Sequence, residues 1–409
     1  MTEKPKRYGP EPKWIVMVFM GANNLPDEKD LTKEAETDIN EMEAALAEWK
    51  AAHPKSDSNV AVLVQVHGKN RVYRQHINHG DPEDVSVDEQ DATDGVALGA
   101  FLKWATEKSE RQKHDRTMLV MWGHAYRFAI GHAAVQGRPD AIDFAELSQT
   151  LRNMQERRPP ETDPKLDIVG FDACDLATAE IAAELAPFAR YLVASQIGVP
   201  LPGWPYDKVL KRLCDPKGPM MTPAELGSFA VRQYCAFYFE QNPNPVKPVS
   251  LTLIDLQRMD EVRRAVDALA VEIALVLDDP EEQALLELLF LQSQIFPGKP
   301  FVDVADLCLN LAWHANSKAV CAAAAALGDI LIRPADTSTR VRDDEPPRPA
   351  VIEHGRNAYS TARLHGLSLY APHVQNPNET WPEARRFYEK LAFAQTTLWS
   401  KLVHAFAES

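Results

Sequence analysis

Short, continuous apolar runs alternate, over the first two thirds of the chain, with segments whose apolar residues recur every three or four positions. The short runs are typical of strands that are buried on both faces of a sheet. The recurring segments are typical of helices with one buried face. This alternation predicts an α/β sandwich with a mostly parallel central sheet. We predict its strands at residues 14–20, 60–66, 117–122, 167–171, 191–195 and 250–254.

The pattern changes after residue 255 and becomes mainly helical, up to residue 332. An apolar run at residues 366–372 predicts one strand that returns to the fold, and a helix closes the chain. We therefore divide the chain into an α/β region at residues 1–255 and a mainly helical region at 256–409. Residues 137–165 are rich in charged residues and proline, which predicts an exposed loop between two core strands that is open to nicking.

Composition narrows the class of protein. Hydrophobic residues make up 45% and charged residues 25% of the 409 positions, as in a soluble globular protein. The formal net charge of −15 argues against nucleic acid or an anionic membrane as a partner. No apolar run is long enough to span a membrane, and the first residues lack the apolar core of a secretory signal. Five widely spaced cysteines do not suggest a disulfide framework, so we expect a reducing, cytoplasmic location.

Two reactive side chains follow two of the predicted core strands. His124 comes after the run at 117–122, and Cys174 comes after the run at 167–171, where we expect it to open a helix. Functional groups of α/β proteins gather at the carboxyl ends of strands. A thiol and an imidazole that converge there form a nucleophile and a base. A helix N-terminus and a protonated histidine would both favour the thiolate, and the backbone N–H groups of Ala125 and Cys174 would form an oxyanion hole.

The residues alone leave other interpretations open. A lone cysteine is often a small packing residue, and a histidine after a strand is often structural. A caspase-like scaffold that binds a partner without cutting it would carry the same pattern. A nucleotide- or phosphate-binding domain is a weaker alternative, because the chain lacks a glycine-rich loop between a strand and a helix.

Several segments match the motifs of one peptidase family, in the same order and at similar spacing. The most specific is DIVGFDACDLATAE at residues 167–180, which is similar to the family's DVIGFDACLMATVE. Residues 119–124 (LVMWGH) are similar to its histidine segment. Further matches are the first strand with Asn23-Asn24-Leu25, YLVAS with the later GWPY, and HGLSLYAP at 365–372. On these motifs the sequence resembles the clostripain-like cysteine peptidases, the bacterial and archaeal branch of the caspase-like clan.

The resemblance implies a function and a role for each matching residue. It implies a caspase-like catalytic domain at residues 1–255 and an endopeptidase that cuts after Arg or Lys. Cys174 would attack the peptide carbonyl, and His124 would assist it. Asp172 would lie at the base of the specificity pocket and pair with the basic side chain, unless it instead caps a helix that begins at Cys174. Ser195 and Trp204 would also contact the substrate.

The chain departs from the family pattern near each of these residues. Ala125-Tyr126-Arg127 replaces the glycines that follow the histidine. Gln196-Ile197 replaces acidic residues, which removes one source of negative charge from the pocket. Asp175 replaces an apolar residue directly after the nucleophile, where a carboxylate opposes thiolate formation unless it faces away.

The resemblance also implies latency and an activating cut within residues 137–165. The basic candidates are Arg157, Arg152 and Arg138, of which Arg138 is disfavoured by the proline that follows it. Partners would be polypeptide substrates, and an upstream protease or regulatory protein, within a bacterial defence or regulatory cascade. We expect no cofactor and no metal. Some relatives use calcium, for which Asp27-Glu28-Lys29-Asp30 is the candidate, with a solvated helix start as the alternative.

Overall fold

A computed structural model gives the fold of most of the chain. It describes residues 13–22, 30–56, 58–86, 91–110, 115–126, 128–135, 138–156, 165–215, 217–241, 247–296, 299–332, 349–357, 361–371 and 381–408.

The strands fall in two groups along the chain. Those in the first 255 residues are β1 Trp14–Gly21, β2 Val60–His67, β3 Val72–His76, β4 Glu83–Asp84, β5 Arg116–Gly123, β6 Ala125–Tyr126, β7 Ala129–Val135, β8 Arg138–Asp143, β9 Leu166–Asp172, β10 Ala189–Ala194 and β11 Ser250–Asp255. The later ones are β12 Ile295–Phe296, β13 Lys299–Asp303, β14 Val351–Arg356 and β15 Ser368–Tyr370.

Helices connect these strands and fill the C-terminal region. The helices before residue 255 are α1 Thr32–Ala52, α2 Gly95–Lys108, α3 Phe144–Glu156, α4 Ala179–Leu185, α5 Tyr206–Cys214 and α6 Pro223–Gln241. The later helices are α7 Met259–Ala274, α8 Pro280–Gln292, α9 Val304–His314, α10 Lys318–Leu331, α11 Trp381–Tyr388, α12 Ala392–Thr396 and α13 Trp399–Glu408. None of the described helices is both long enough and apolar enough to cross a bilayer.

The large central sheet runs in the order β14-β11-β10-β9-β5-β1-β2-β3-β4. Its five middle strands, from β10 to β2, are parallel, because a crossover that contains a helix joins each to the next in sequence. The strands at both edges are antiparallel. All six predicted core strands belong to this sheet. The α/β sandwich is therefore confirmed, with its parallel part confined to the centre of a mixed sheet.

Each face of the sheet carries its own hydrophobic core. Side chains of β1 alternate between the two: Ile15, Met17 and Phe19 lie in one core, and Val16 and Val18 lie in the other. Helices α1, α5 and α6 cover the second core, whereas α2, α3, α4 and α7 cover the first. A continuous apolar run is what such two-sided burial requires.

The C-terminal region is part of the same fold. The first core continues beyond residue 255, for example through Leu307, Leu369 and Trp399, so the division at that residue does not separate two cores. The strand predicted at 366–372 forms as β15, but it pairs with β13 in a separate three-stranded sheet. The strand that returns to the central sheet is β14, beside β11.

The prediction of an exposed loop at 137–165 is wrong for residues 138–156. They form β8, which pairs with β7, and α3, which buries an apolar face. The sequence indicates a short helical piece here, but not its burial: Phe144, Leu147 and Leu151 lie fully in the first core. Residues 157–164 of this stretch lie outside the described part of the chain.

Candidate active site

His124 and Cys174 lie at the same edge of the central sheet. Strands β5 and β9 are adjacent and parallel, and their register pairs the Cα atoms of Trp122 and Asp172. His124 and Cys174 each come two residues after this pair, so both lie just beyond the same end of the two strands. The two strands are neighbours, which is the condition for these side chains to converge at one edge.

A tight turn positions His124. Gly123 has φ = 141°, and a Cβ there would lie 2.6 Å from the carbonyl oxygen of Gly21 on β1. Only glycine fits this close backbone approach. The carbonyl of His124 accepts a hydrogen bond of 3.0 Å from the N–H of Gly131, which ties the turn to β7. Ala125 follows directly and begins β6, so its backbone lies at the same edge.

Cys174 lies in a turn and does not open a helix, which corrects the prediction from sequence. Helix α4 begins at Ala179, where the hydroxyl of Thr178 accepts a hydrogen bond of 3.2 Å from the N–H of Ile181. Asp175 has φ = 63°, a left-handed conformation that interrupts any helix from Cys174 onward. The alternative role of Asp172 as a cap of that helix is therefore wrong as well. The helix N-terminus that was expected to favour the thiolate is therefore not at Cys174.

The half-buried thiol of Cys174 has other polar neighbours. Its Sγ accepts a hydrogen bond of 3.2 Å from the N–H of Val199. Burial raises the pKa of Cys174, and the carboxylate of Asp175 raises it further, whereas the Val199 N–H and the ammonium of Lys299 lower it. The protonated thiol is therefore the resting form, and attack on a carbonyl needs a base to take its proton.

Asp172 is the buried acid of the site. Its Oδ2 accepts hydrogen bonds from the N–H of Trp204 at 2.9 Å and from the hydroxyl of Tyr206 at 3.1 Å. Its Oδ1 is buried and has no hydrogen-bond partner among the described residues. Gly203 has φ = 63°, and a Cβ on it would lie 2.7 Å from Oδ2. Burial raises the pKa of Asp172 to about 7, against the two hydrogen bonds.

Ser195 and Trp204, predicted to contact substrate, are buried. The hydroxyl of Ser195 donates to the carbonyl of Ile197 at 2.8 Å and accepts from its N–H at 3.1 Å, which closes the turn that leads to Val199. The indole of Trp204 packs on Gly170, where a Cβ would lie only 2.7 Å from its ring. Both side chains are buried and do not line an open surface, and it is the backbone N–H of Trp204 that binds Asp172.

Some residues of the site were not found from the sequence. Asp38 of α1 accepts a hydrogen bond of 2.8 Å from the indole N–H of Trp122 and interacts electrostatically with Asp172. Its signal is an acid in phase with the buried positions Ala35 and Met42 on one helix face. Lys299, whose ammonium pairs with Asp175, is 124 positions away in the sequence and carries no local signal.

The structure describes two of the three candidate residues for an activating cut. Arg152 is exposed but lies in the middle of α3, with its guanidinium 5.9 Å from the ring centroid of Phe188. Arg138 begins β8 and pairs with Val135 in the backbone register of the β7–β8 hairpin. Arg157 and most of the acidic turn at 27–30 lie outside the described residues. Within the described part, no group of three or more His, Cys, Asp or Glu side chains is placed to hold a metal ion.

Comparison with known sequences gives matches over most of the chain. The sequence profile of the clostripain family matches residues 18–405. Clostripain of Hathewaya histolytica is 25% identical over 264 residues, which make up 55% of this chain and 48% of that protein. The match thus spans about half the length of that relative.

Two solved structures share the fold over nearly their whole length. A secreted C11 cysteine protease from Bacteroides thetaiotaomicron, in complex with an irreversible peptide inhibitor, has a TM-score of 0.59 at 16% identity, covering 96% of this chain and 99% of that one. An inactive zymogen of a C11 protease from Parabacteroides distasonis has a TM-score of 0.61 at 13% identity, covering 95% and 99%.

Proposed function

The chain belongs to the clostripain family of cysteine peptidases, and from this premise we propose that it is an endopeptidase that cuts after Arg or Lys. Cys174 is the nucleophile and His124 is the base. The observation that carries this assignment is the register of β5 and β9, which brings a thiol and an imidazole to the same sheet edge.

The reaction needs one proton carrier and one nucleophile. His124 takes the proton of the Cys174 thiol as Sγ attacks the carbonyl carbon of the scissile peptide bond. Backbone N–H groups of Ala125 and Cys174 stabilise the oxyanion. The C–N bond then breaks, His124 gives its proton to the leaving amine, and an acyl-enzyme remains. A water molecule loses a proton to His124, attacks the thioester and releases the carboxylic acid and the thiol.

The basic preference rests on the buried Oδ1 of Asp172, which has no hydrogen-bond partner in the part of the chain that the structure describes. A buried carboxylate oxygen without a partner is costly, and a guanidinium or ammonium group would satisfy it with a charge-assisted hydrogen bond. The carboxyl group of Glu41 also acts on Asp172 and adds negative charge near it. Gln196, which replaces a family acid, is buried and bonded to Asp303 and Ser368, so it adds no charge to the pocket.

Latency is part of the proposal. Asp172 is 4% exposed, so a substrate side chain reaches it only after the surrounding loop moves. The Parabacteroides distasonis relative with the same fold is an inactive zymogen. A cut after Arg157, by the enzyme itself or by an upstream protease, is the activating step that we propose. The cytoplasmic location, the absence of cofactors and the place in a defence or regulatory cascade stay predictions.

A panel of fluorogenic peptides with Arg, Lys, Asp or Leu before the cut tests the proposal. Cys174→Ala and His124→Ala should each lower turnover by several orders of magnitude, because the members of a catalytic unit fail together. The matched controls are Cys321→Ala, a half-buried cysteine bonded to the carbonyl of Ala315, and His314→Ala, an exposed histidine on α9. Wild-type rates from Cys174→Ala would contradict the assignment, whereas a wild-type chain that cuts no peptide even after processing would favour the silent interaction module.

A further inference from the structure

A lysine from the C-terminal region reaches the residue next to the nucleophile. Lys299 begins β13, and its ammonium pairs with the carboxylate of Asp175, which directly follows Cys174. The Asp175 side chain is only 14% exposed, and its second oxygen is buried without a hydrogen-bond partner in the described part of the chain. Lys299 is the cation that compensates this buried charge.

The backbone holds Asp175 in an unusual conformation. Its φ of 63° is rare for residues other than glycine, although Asp and Asn tolerate it better than most. The N–H of Asp175 donates to the carbonyl of Ile197 at 3.2 Å, and its side chain binds Lys299. Such strained positions persist only when their surroundings fix them. The carboxylate thus faces β13 but remains next to the thiol.

We propose that Lys299 is a positioning residue that neutralises Asp175 and thereby sets the ionisation of the Cys174 thiol. A carboxylate within a few ångströms of a thiol opposes the thiolate, and a cation paired with that carboxylate removes most of this effect. The charged and titratable groups that act on the thiol are Asp175 beside it, Asp172 at the end of β9, Lys299 on β13 and Tyr234 on α6. His124 follows the neighbouring strand β5 at the same sheet edge. Lys299 supplies a positive charge that can offset the two carboxylates.

The consequence for turnover rests on the proposed role of Cys174 as nucleophile, but the ionisation of the thiol does not. Alkylation of Cys174 by iodoacetamide proceeds through the thiolate, so its rate against pH reports the thiol pKa without any peptide cleavage. Mass spectrometry of the Cys174 peptide separates it from the other four cysteines, all of which are free thiols.

Charge variants at Lys299 and Asp175 test the proposal. Lys299→Met should move the midpoint of the alkylation profile to higher pH by about one unit, which slows labelling about tenfold below the midpoint. Asn tolerates the same backbone conformation as Asp, and Asp175→Asn should move the midpoint to lower pH. The midpoint of the double variant should be close to that of wild type, and so should the midpoint of Lys299→Arg. Lys318→Met, an exposed lysine at the start of α10, is the matched control and should change nothing.

Three results would overturn the proposal. A Lys299→Met profile that superimposes on that of wild type shows that the pair does not act on the thiol. A double variant as far displaced as Lys299→Met shows that Lys299 serves packing alone. If Lys299→Met loses its cooperative melting transition, Asp175→Asn decides the question, since an unchanged midpoint in that variant contradicts the proposal. A chain without peptidase activity would still give an alkylation profile. The experiment therefore distinguishes failure of the proposal on Lys299 from failure of the proposed function.

Discussion

Two buried carboxyl groups, Asp172 and Asp38, lie close to the sheet edge that carries Cys174 and interact electrostatically with each other. Trp122 connects them, because its backbone pairs with Asp172 in the register and its indole N–H binds Asp38. Burial raises the pKa of Asp172 to about 7 and that of Asp38 to about 9. At neutral pH, Asp38 is therefore mostly protonated, and Asp172 is the acid of the pair that ionises near the working pH.

The charge of Asp172 should control selectivity for arginine. Asp172→Asn should lower kcat/KM for Arg substrates by about 2–5 kcal/mol of transition-state binding and change citrulline substrates much less. In wild type the ratio of Arg to citrulline should rise from pH 6 to pH 8, because the carboxylate forms as the pH passes about 7. The ratio should be flat in Asp172→Asn.

Glu180→Gln is the matched control for this experiment. Glu180 is also fully buried, burial raises its pKa to about 7 as well, and it binds the N–H of Tyr370 away from the pocket. The substitution should affect stability but not the Arg-to-citrulline ratio. A wild-type enzyme that prefers Asp or Leu before the cut would contradict the role of Asp172.

Asp38 should make the protein less stable as the pH rises. Its pKa lies at about 9 in the folded chain, against an ordinary value of 3.8, so folding favours the neutral carboxyl. Asp38→Asn keeps an acceptor for Trp122 and removes the ionisation. It should match wild type near pH 4 and become more stable above it, with the difference growing by at most about 1.4 kcal/mol per pH unit up to about pH 9.

Urea unfolding across this pH range measures the difference. Glu36→Gln, an exposed acid on the same helix, removes the same charge without the burial and should show no such trend. A constant difference between Asp38→Asn and wild type at all pH values would show that Asp38 ionises normally.

Among the contacts between elements, the loop after β10 is bonded to the three-stranded sheet of β12, β13 and β15. Gln196 is 1% exposed; its amide donates to Asp303 at 2.9 Å and to Ser368 at 3.0 Å, and its oxygen accepts from the N–H of Gly366 at 2.7 Å. Asp303 also accepts a hydrogen bond of 2.7 Å from the backbone N–H of His365. The same loop carries the Val199 N–H that contacts Cys174.

Replacement of this amide should therefore affect both stability and activity. Gln196→Leu keeps a similar volume but leaves buried polar partners unsatisfied, so we expect a loss of about 3 kcal/mol in the free energy of unfolding. Turnover should fall for all peptides alike, because the loop that contacts Cys174 loses its anchor. Gln257→Leu, at an exposed position, is the control. Full activity with normal stability in Gln196→Leu would show that the loop needs no such anchor.

At the scale of the whole molecule, one cut should activate the chain. Arg157 is the candidate that remains, because Arg152 is helical and Arg138 is paired in a hairpin, whereas peptidases bind their substrates extended. Wild type should convert from a single chain into two fragments that meet at Arg157 as activity appears. Arg157→Ala should stay intact and latent, and Arg152→Ala should behave as wild type.

Intact-mass analysis followed in parallel with peptide cleavage measures this conversion. Cys174→Ala separates the two routes: it stays uncut if the enzyme cuts itself, and it is cut by an added upstream protease. An intact wild-type chain with full, stable activity would remove latency from the proposal.

The central strands and the two candidate residues that follow them could be predicted from the amino-acid sequence. A run of apolar residues is a local signal, and its two-sided burial follows from the pattern alone. The reactive residues were found for the same reason, since His124 and Cys174 directly follow such runs. The edge strand β14 was missed because its side chains are only half-buried and show no apolar run.

The side-chain contacts around those two residues could be seen only in the folded chain. Whether Cys174 opens a helix depends on Asp175, which binds a lysine 124 positions away, and on Thr178, which caps α4. Asp38 and Trp122 meet across 84 positions, and Gln196 and Asp303 across 107. Contacts of this kind form only when packing of the two cores brings distant segments together, so no local pattern records them. The sequence thus located the proposed nucleophile and base, and packing set the charges that act on Cys174.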